Sequence, residues 1–136
     1  MNTTILKLLR KLKPNSPETH FAPKLYKDVE DKQFAIDLFK KTILNATTIN
    51  EEIAQKTKNW DADRIANLDY VLLQMGVCEL QHFPSIPVKV TINEYLEIAK
   101  EYSTPKSSIF INGILDKIVK EYQDAGNLNK VGRGLM

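Results

Sequence analysis

The stretch DADRIANLDYVLLQMGVCEL, residues 61–80, decides the fold. Its apolar side chains recur every three or four residues, the spacing that places them on one face of an α-helix. This stripe consists of Ile65, Leu68, Leu72 and Met75, with Glu79 in the same register. We expect Asp61 to cap the helix, with Trp60 and Ile65 packing across its start as a hydrophobic staple. Gly76 lies inside the pattern, where glycine costs about 1 kcal/mol relative to alanine, and close approach of a neighbouring helix is the expected reason.

The same spacing predicts helices on both sides of this stretch. They lie at residues 5–12, from about Asp31 onward, around Ile49 behind a Thr48–Glu51 capping box, at 88–102, and from Pro105 to about Tyr122. The helix after Asp31 is expected to turn four apolar side chains inward, namely Phe34, Leu38, Phe39 and Ile43. Strand-like alternation is confined to residues 88–90, which a helix includes, so the sequence predicts an all-α helical bundle.

The predicted organisation has three parts. Residues 1–30 form a basic helix and a proline-rich loop, and residues 31–124 form the helical domain. Residues 125–136 have too little apolar periodicity to pack and are expected to form a flexible tail.

Composition narrows the class of protein. The chain has 136 residues and a net charge of +2, which suits one domain and does not by itself indicate nucleic acid. One cysteine rules out an internal disulfide framework, and two histidines leave too few ligands for a Cys/His zinc site. The sequence contains neither an apolar run long enough for a membrane span nor a secretory signal, so we expect a cytoplasmic protein.

Little in the sequence indicates catalysis. Cys78 and His82 are four residues apart on one helix, the spacing that a thiolate–imidazole pair would need. We prefer a small buried cysteine, because no third residue is identifiable to orient the histidine. Motifs for phosphate-binding loops and serine nucleophiles are missing from the sequence. The prediction is therefore a protein without enzymatic activity, cofactor or metal.

Basic residues are more informative. Lys7, Arg10, Lys11 and Lys13 precede the first acidic residue and could face phosphates, although a solvated helix face would look the same. A sparser set consists of Lys89, Lys106 and Lys117. Phe110, close to Lys106 and Ser107, could stack on an unpaired base or could equally pack in the core.

Three segments together resemble the NusB family of bacterial transcription antitermination factors. They are WDADRI at 60–65, IPVKVTINE at 86–94 and FINGILDK at 110–117. The resemblance is strong over residues 60–119 and looser back to about Asp31. It implies an all-helical fold of two packed subdomains and no enzymatic activity.

The resemblance also implies partners and site residues. Family members bind single-stranded boxA RNA jointly with a small-subunit ribosomal protein that doubles as NusE. The assembled complex modifies RNA polymerase so that it reads through terminators, notably in ribosomal RNA operons. Residues Lys106, Ser107 and Phe110 match the family's RNA-proximal and partner-proximal segment. On charge alone, we expect further RNA contacts from Lys89, Arg10 and Lys11. Arg64 and Glu79 match the region near the protein partner.

The N-terminal region departs from the family pattern. An arginine-rich first helix is typical of the family, whereas residues 1–30 contain one arginine, and Lys106 stands where the family has an acidic residue. Either the basic helix at 5–13 substitutes for it, or this chain is the C-terminal part of a longer protein, which we favour. A protein-interaction module that lacks RNA binding is the alternative function.

Overall fold

A computed structural model of the chain describes Arg10, residues 27–60 and residues 65–136. These residues contain five α-helices, one short 3-10 helix and no β-strand. The helices are α1 (Val29–Leu44), α2 (Ala46–Lys56), α3 (Asn67–His82), α4 (Val88–Tyr102) and α5 (Ser107–Ala125), with the 3-10 helix at Gly132–Leu135. The all-α prediction is confirmed. Most of the predicted helix at 5–12 lies outside the described residues, although Arg10 itself is helical.

The chain divides into two compact units, residues 1–35 and 36–136. In the first unit, α1 begins behind Asp28, whose Oδ1 accepts a hydrogen bond from the Asp31 N–H at 2.9 Å. The Lys27 N–H donates to Asp31 Oδ2 at 3.0 Å. These bonds satisfy backbone donors at the helix start, which have no partner within the helix.

The core of the second unit lies where α3, α4 and α5 pack together. Gly76 of α3 allows this packing, because a Cβ there would lie 3.3 Å from Leu115 Cδ2 and 3.6 Å from Tyr95 Cδ2. The expected close approach at Gly76 is therefore confirmed. The largest fully buried side chains are Ile49, Ile53, Leu73, Leu80, Ile111, Ile114, Leu115 and Ile118.

A buried carboxylate joins α3 to α4. Glu79 is 5% exposed, and it accepts hydrogen bonds from Thr91 Oγ1 at 2.9 Å and from the Tyr95 hydroxyl at 2.8 Å. A buried charge needs such donors, because it has lost the hydrogen bonds of water. Glu79 thus belongs to the interior, although it lies in the apolar stripe of the sequence.

Three helix starts differ from the predictions. Helix α3 begins at Asn67 with Ala66 as N-cap, well after Asp61, which lies outside the described residues. Helix α2 begins at Ala46, so Thr48 lies inside it and does not cap it. Helix α5 begins at Ser107 instead of Pro105. A turn precedes α5, and it is closed by the bond from the Ser107 N–H to the Thr104 carbonyl at 3.0 Å.

The expected inner face of α1 is also partly wrong. Leu38 is 6% exposed, as expected, but Phe39 is 67% exposed, Ile43 is 57% exposed and Phe34 is 38% exposed. Apolar spacing identifies a helix, but it does not tell how many of its faces other elements cover.

Residues near the C-terminus form hydrogen bonds to the connection between α3 and α4. The Lys130 ammonium donates to the Phe83 carbonyl at 3.0 Å, and the Val131 N–H donates to the Pro84 carbonyl at 3.0 Å. Polar hydrogen bonds hold this segment to the α3–α4 connection, and apolar periodicity does not register such bonds. Among the described helices, none combines the length and apolarity needed to cross a bilayer.

Candidate functional site

Two aromatic rings and a lysine meet at the start of α5. Trp60 lies in the turn after α2, where its backbone N–H donates to the Thr57 carbonyl at 2.9 Å. The Trp60 and Phe110 rings pack edge to face, with centroids 4.9 Å apart and planes inclined by 66°. Trp60 is 53% exposed, Phe110 is half-buried, and Lys106 is exposed. We call Trp60, Lys106 and Phe110 the aromatic–lysine site.

Hydrogen bonds inside the protein hold the turn that carries this site. Asp69 of α3 is 5% exposed and accepts bonds from Ser107 Oγ, at 2.7 Å, and from Ser103 Oγ. The Thr104 and Ser107 hydroxyls lie 2.7 Å apart, within hydrogen-bond distance. Because the network ties residues 103–107 to α3, it sets the positions of Lys106 and Phe110.

Two cavities open beside the aromatic–lysine site, and all three of its residues line both. One cavity, of about 610 Å³, extends toward Asp69, and the other, of about 340 Å³, extends along α5. The first has polar walls that include Asn59, Thr104 and Ser107. An exposed cation beside aromatic rings and open cavities can hold a ligand that carries both negative charge and flat rings.

Comparison with known proteins assigns the family. The family model described as "NusB family" matches residues 5–120. The chain belongs to the NusB family. The resemblance noted in three segments is thereby confirmed, and the match extends toward the N-terminus beyond the segments that suggested it.

Individual NusB relatives agree with this assignment. The chain is 43% identical over 112 residues to the transcription antitermination protein NusB of Salinibacter ruber, covering 82% of this chain and 70% of that protein. It is 41% identical over 109 residues to the protein of that name from Chloroherpeton thalassium, covering 80% of this chain and 52% of that protein. A crystal form of T. maritima NusB matches with a TM-score of 0.67 and 34% identity, covering 76% of this chain and 72% of that chain.

The structure separates the residues predicted to bind RNA. Lys106 and Phe110 lie together, whereas Ser107 is 1% exposed, with its hydroxyl hydrogen-bonded inside the protein. Ser107 therefore supports the site from within. Lys89 is exposed near the start of α4, and at 1.5 Å per residue it lies about 20 Å along the helix from the turn at Ser103.

The other residues predicted to bind RNA or the protein partner are not part of the aromatic–lysine site. Arg10 is exposed, and Lys11 and Arg64 lie outside the described residues. Glu79, predicted to face a protein partner, has a buried carboxylate bonded to Thr91 and Tyr95. It can therefore influence a partner only through the α3–α4 packing that it maintains.

The surroundings of Cys78 and His82 disfavour the charged forms that a thiolate–imidazolium pair would need. The Cys78 side chain is fully buried, and burial raises the pKa of its thiol, which disfavours the thiolate. Burial also lowers the pKa of His82, which disfavours the imidazolium. Over Arg10, 27–60 and 65–136, no three His, Cys, Asp or Glu side chains converge as metal ligands.

Sequence reasoning missed Trp60 and Asp69 as site residues. It assigned Trp60 only a packing role at a helix start. Asp69 had a usable signal, because it lies four residues after Ile65 and three before Leu72 and thus shares their helix face. An acidic residue on an apolar face predicts a buried carboxylate with hydrogen-bonding partners.

Proposed function

We propose that this NusB-family chain is an RNA-binding transcription antitermination factor that acts in the cytoplasm on ribosomal RNA operons. It binds single-stranded boxA-type RNA together with a small-subunit ribosomal protein in the NusE role, and it reaches RNA polymerase through that complex. It acts by binding, without catalysis or cofactor. The observation that carries the proposal is the aromatic–lysine site, and the names of its relatives support the transcriptional role.

The chemistry of the site suits single-stranded RNA. Unpaired bases stack on aromatic side chains, and lysines contact the phosphates between them. Trp60 and Phe110 supply the rings, and Lys106 supplies an exposed cation on the same surface. Sequence-independent phosphate contacts from Arg10 and Lys11 would add affinity, and Lys89 would contribute if the strand extends along α4.

The protein partner would bind near α3. Arg64 contributes directly in this proposal, whereas Glu79 keeps α3 and α4 in place from the interior. A chain that binds the ribosomal protein but not RNA would be the protein-interaction module considered as the alternative.

RNA titration tests the proposal. Fluorescence anisotropy of a labelled boxA-type strand, with the ribosomal protein present, should show saturable binding that weakens steeply with salt. Lys106→Gln should weaken binding and reduce the slope of log affinity against log salt by about 0.7, the value for one phosphate contact to a single strand. Lys89→Gln carries the same charge change and should have a smaller effect, because Lys89 is distant from the site.

Two results would count against the proposal. If the chain binds the ribosomal protein but shows no saturable RNA binding, its function is that of the protein-interaction module considered as the alternative. Equal salt slopes for Lys106→Gln and the unmodified chain would remove Lys106 from the RNA contact.

A further inference from the structure

The smaller cavity beside the aromatic–lysine site has a volume of about 340 Å³. It runs along the outer face of α5, and its walls are mainly apolar. The residues that line it are Trp60, Lys106, Ile109, Phe110, Gly113, Ile114 and Lys117. Ligand cavities typically measure about 300–1,000 Å³, so this one has room for a single small ring system rather than an extended ligand.

Exposed apolar groups form the walls of this cavity. Trp60 is 53% exposed and Ile109 is 75% exposed. Because Trp60 packs edge to face against Phe110, one of its ring faces is not covered by Phe110. An indole face next to an aliphatic side chain is a surface on which a flat ring can stack.

Gly113 keeps one wall of the cavity open. It lies in the interior of α5, where glycine is less favourable than alanine by about 1 kcal/mol. A Cβ at Gly113 would meet no atom within 4 Å, in contrast to Gly76, where Leu115 is in contact. Packing within the described protein therefore does not require glycine at 113, and the missing side chain only enlarges the cavity.

Cations border the cavity near both of its ends. Lys106 precedes α5, and Lys117 lies eleven residues later, about 16 Å along the helix. Both are exposed, and the described lining residues include no acidic side chain. An apolar slot between two lysines is complementary to a flat ring that is joined to phosphates.

We infer that this cavity receives one unpaired base of the bound single-stranded RNA, stacked on Trp60 with its flanking phosphates at Lys106 and Lys117. The inference rests on the proposed RNA binding and adds to it a base-binding subsite, with Trp60 as its stacking surface and Gly113 as the residue that leaves room for the base.

Trp60 reports on this subsite directly, because it is the only tryptophan in the chain. Saturating unlabelled boxA-type RNA should quench its emission. A series of strands with one abasic position each should contain one strand that loses both the quenching and affinity. Loss of one stacked base should lower affinity by roughly five- to 150-fold. This readout needs no protein variant.

Filling the cavity tests the same point from the protein side. Gly113→Leu should retain helicity and an unfolding midpoint at least equal to that of the unmodified chain, yet bind RNA by anisotropy roughly five- to 150-fold more weakly. Gln123→Leu is the matched control, because Gln123 is exposed on α5 and does not line the cavity. It should bind RNA as the unmodified chain does.

The outcomes separate this inference from the proposed function. RNA binding with unchanged Trp60 emission, or with equal affinity for Gly113→Leu, overturns the base subsite and leaves the antitermination proposal intact. A chain that binds no RNA even with the ribosomal protein overturns both. Loss of ribosomal-protein binding in Gly113→Leu, with RNA binding retained, would show that the cavity takes a protein side chain, which also overturns the inference.

Discussion

At the scale of single residues, Asp69 of α3 holds the turn that carries Lys106. Its carboxylate is buried and accepts bonds from the hydroxyls of Ser103 and Ser107. Such bonds to a charged acceptor are stronger than those between neutral groups. The short side chains on the turn thus connect it to α3, and Lys106 projects from a restrained backbone.

Replacing Asp69 should therefore reduce both stability and RNA affinity. Asp69→Ala leaves the buried Ser107 hydroxyl and the half-buried Ser103 hydroxyl without their acceptor, and it should lower the free energy of unfolding by about 1–3 kcal/mol. Chemical denaturation measures this change. Combining it with Ser107→Ala should give a coupling energy of roughly 0.5–3 kcal/mol, because the two side chains are in contact.

Asp116→Ala provides the comparison for Asp69→Ala. Asp116 is exposed on α5, so its removal should change stability by less than about 0.5 kcal/mol. If both alanine variants were equally stable, the Asp69 network would not hold the turn.

At the scale of elements, the identity of the helices and both ends of α4 were predictable from sequence, whereas the starts of α2, α3 and α5 were not. The apolar face of α3, which includes Leu72, is predictable because it depends only on the spacing of apolar residues within that helix. The start of α5 depends instead on hydrogen bonds among Ser103, Thr104 and Ser107, together with Asp69 from a distant helix. Local patterns could not show that contact, and for the same reason they could not reveal a cavity shared by Trp60 and Phe110.

The C-terminal segment illustrates the same limit and can be tested. Gly134 is buried against the α3–α4 connection, and a Cβ there would lie 1.9 Å from the Pro84 carbonyl oxygen. Gly134→Ala should therefore displace the segment and break the Val131 N–H bond to Pro84. Hydrogen exchange at the Val131 amide should accelerate several-fold.

Leu135→Ala, at a residue that is 74% exposed, should leave this exchange rate unchanged. Unchanged exchange in Gly134→Ala would mean that the segment is not held at this contact.

At the scale of the whole molecule, helix α3 supports both the core and the candidate site. Helix α3 contributes Asp69 near its start, to the turn below the site, and Glu79 near its end, to the contact with α4. The two carboxylates lie about 15 Å apart along α3. The turn that carries Lys106 is thus bonded to a packed helix, which holds a binding group more precisely than a free loop would.

The buried contact between Glu79 and Tyr95 predicts how the free energy of unfolding changes at alkaline pH. Tyr95 is 4% exposed, and burial together with the Glu79 carboxylate raises the pKa of its phenol well above the usual value of about 10. Above about pH 10 the unfolded chain loses a proton that the folded chain keeps. Folded protein then binds more protons, so the free energy of unfolding falls as pH rises, by up to about 1.4 kcal/mol per pH unit for one such group. Burial raises the pKa of Tyr122 as well, so this group acts in the same direction.

Tyr95→Phe isolates this effect. The variant should be less stable at neutral pH by about 1–3 kcal/mol, because Glu79 loses a hydrogen-bond donor. Its stability should then decline less steeply than that of the unmodified chain above about pH 10, since the phenol that resists ionisation in the folded state has been removed. Denaturation at a series of pH values, with phenolate absorbance followed in parallel, measures both quantities.

Tyr102→Phe removes a tyrosine that is 61% exposed and should keep the original alkaline slope. Equal slopes for Tyr95→Phe and the unmodified chain would show that Tyr95 does not couple ionisation to unfolding.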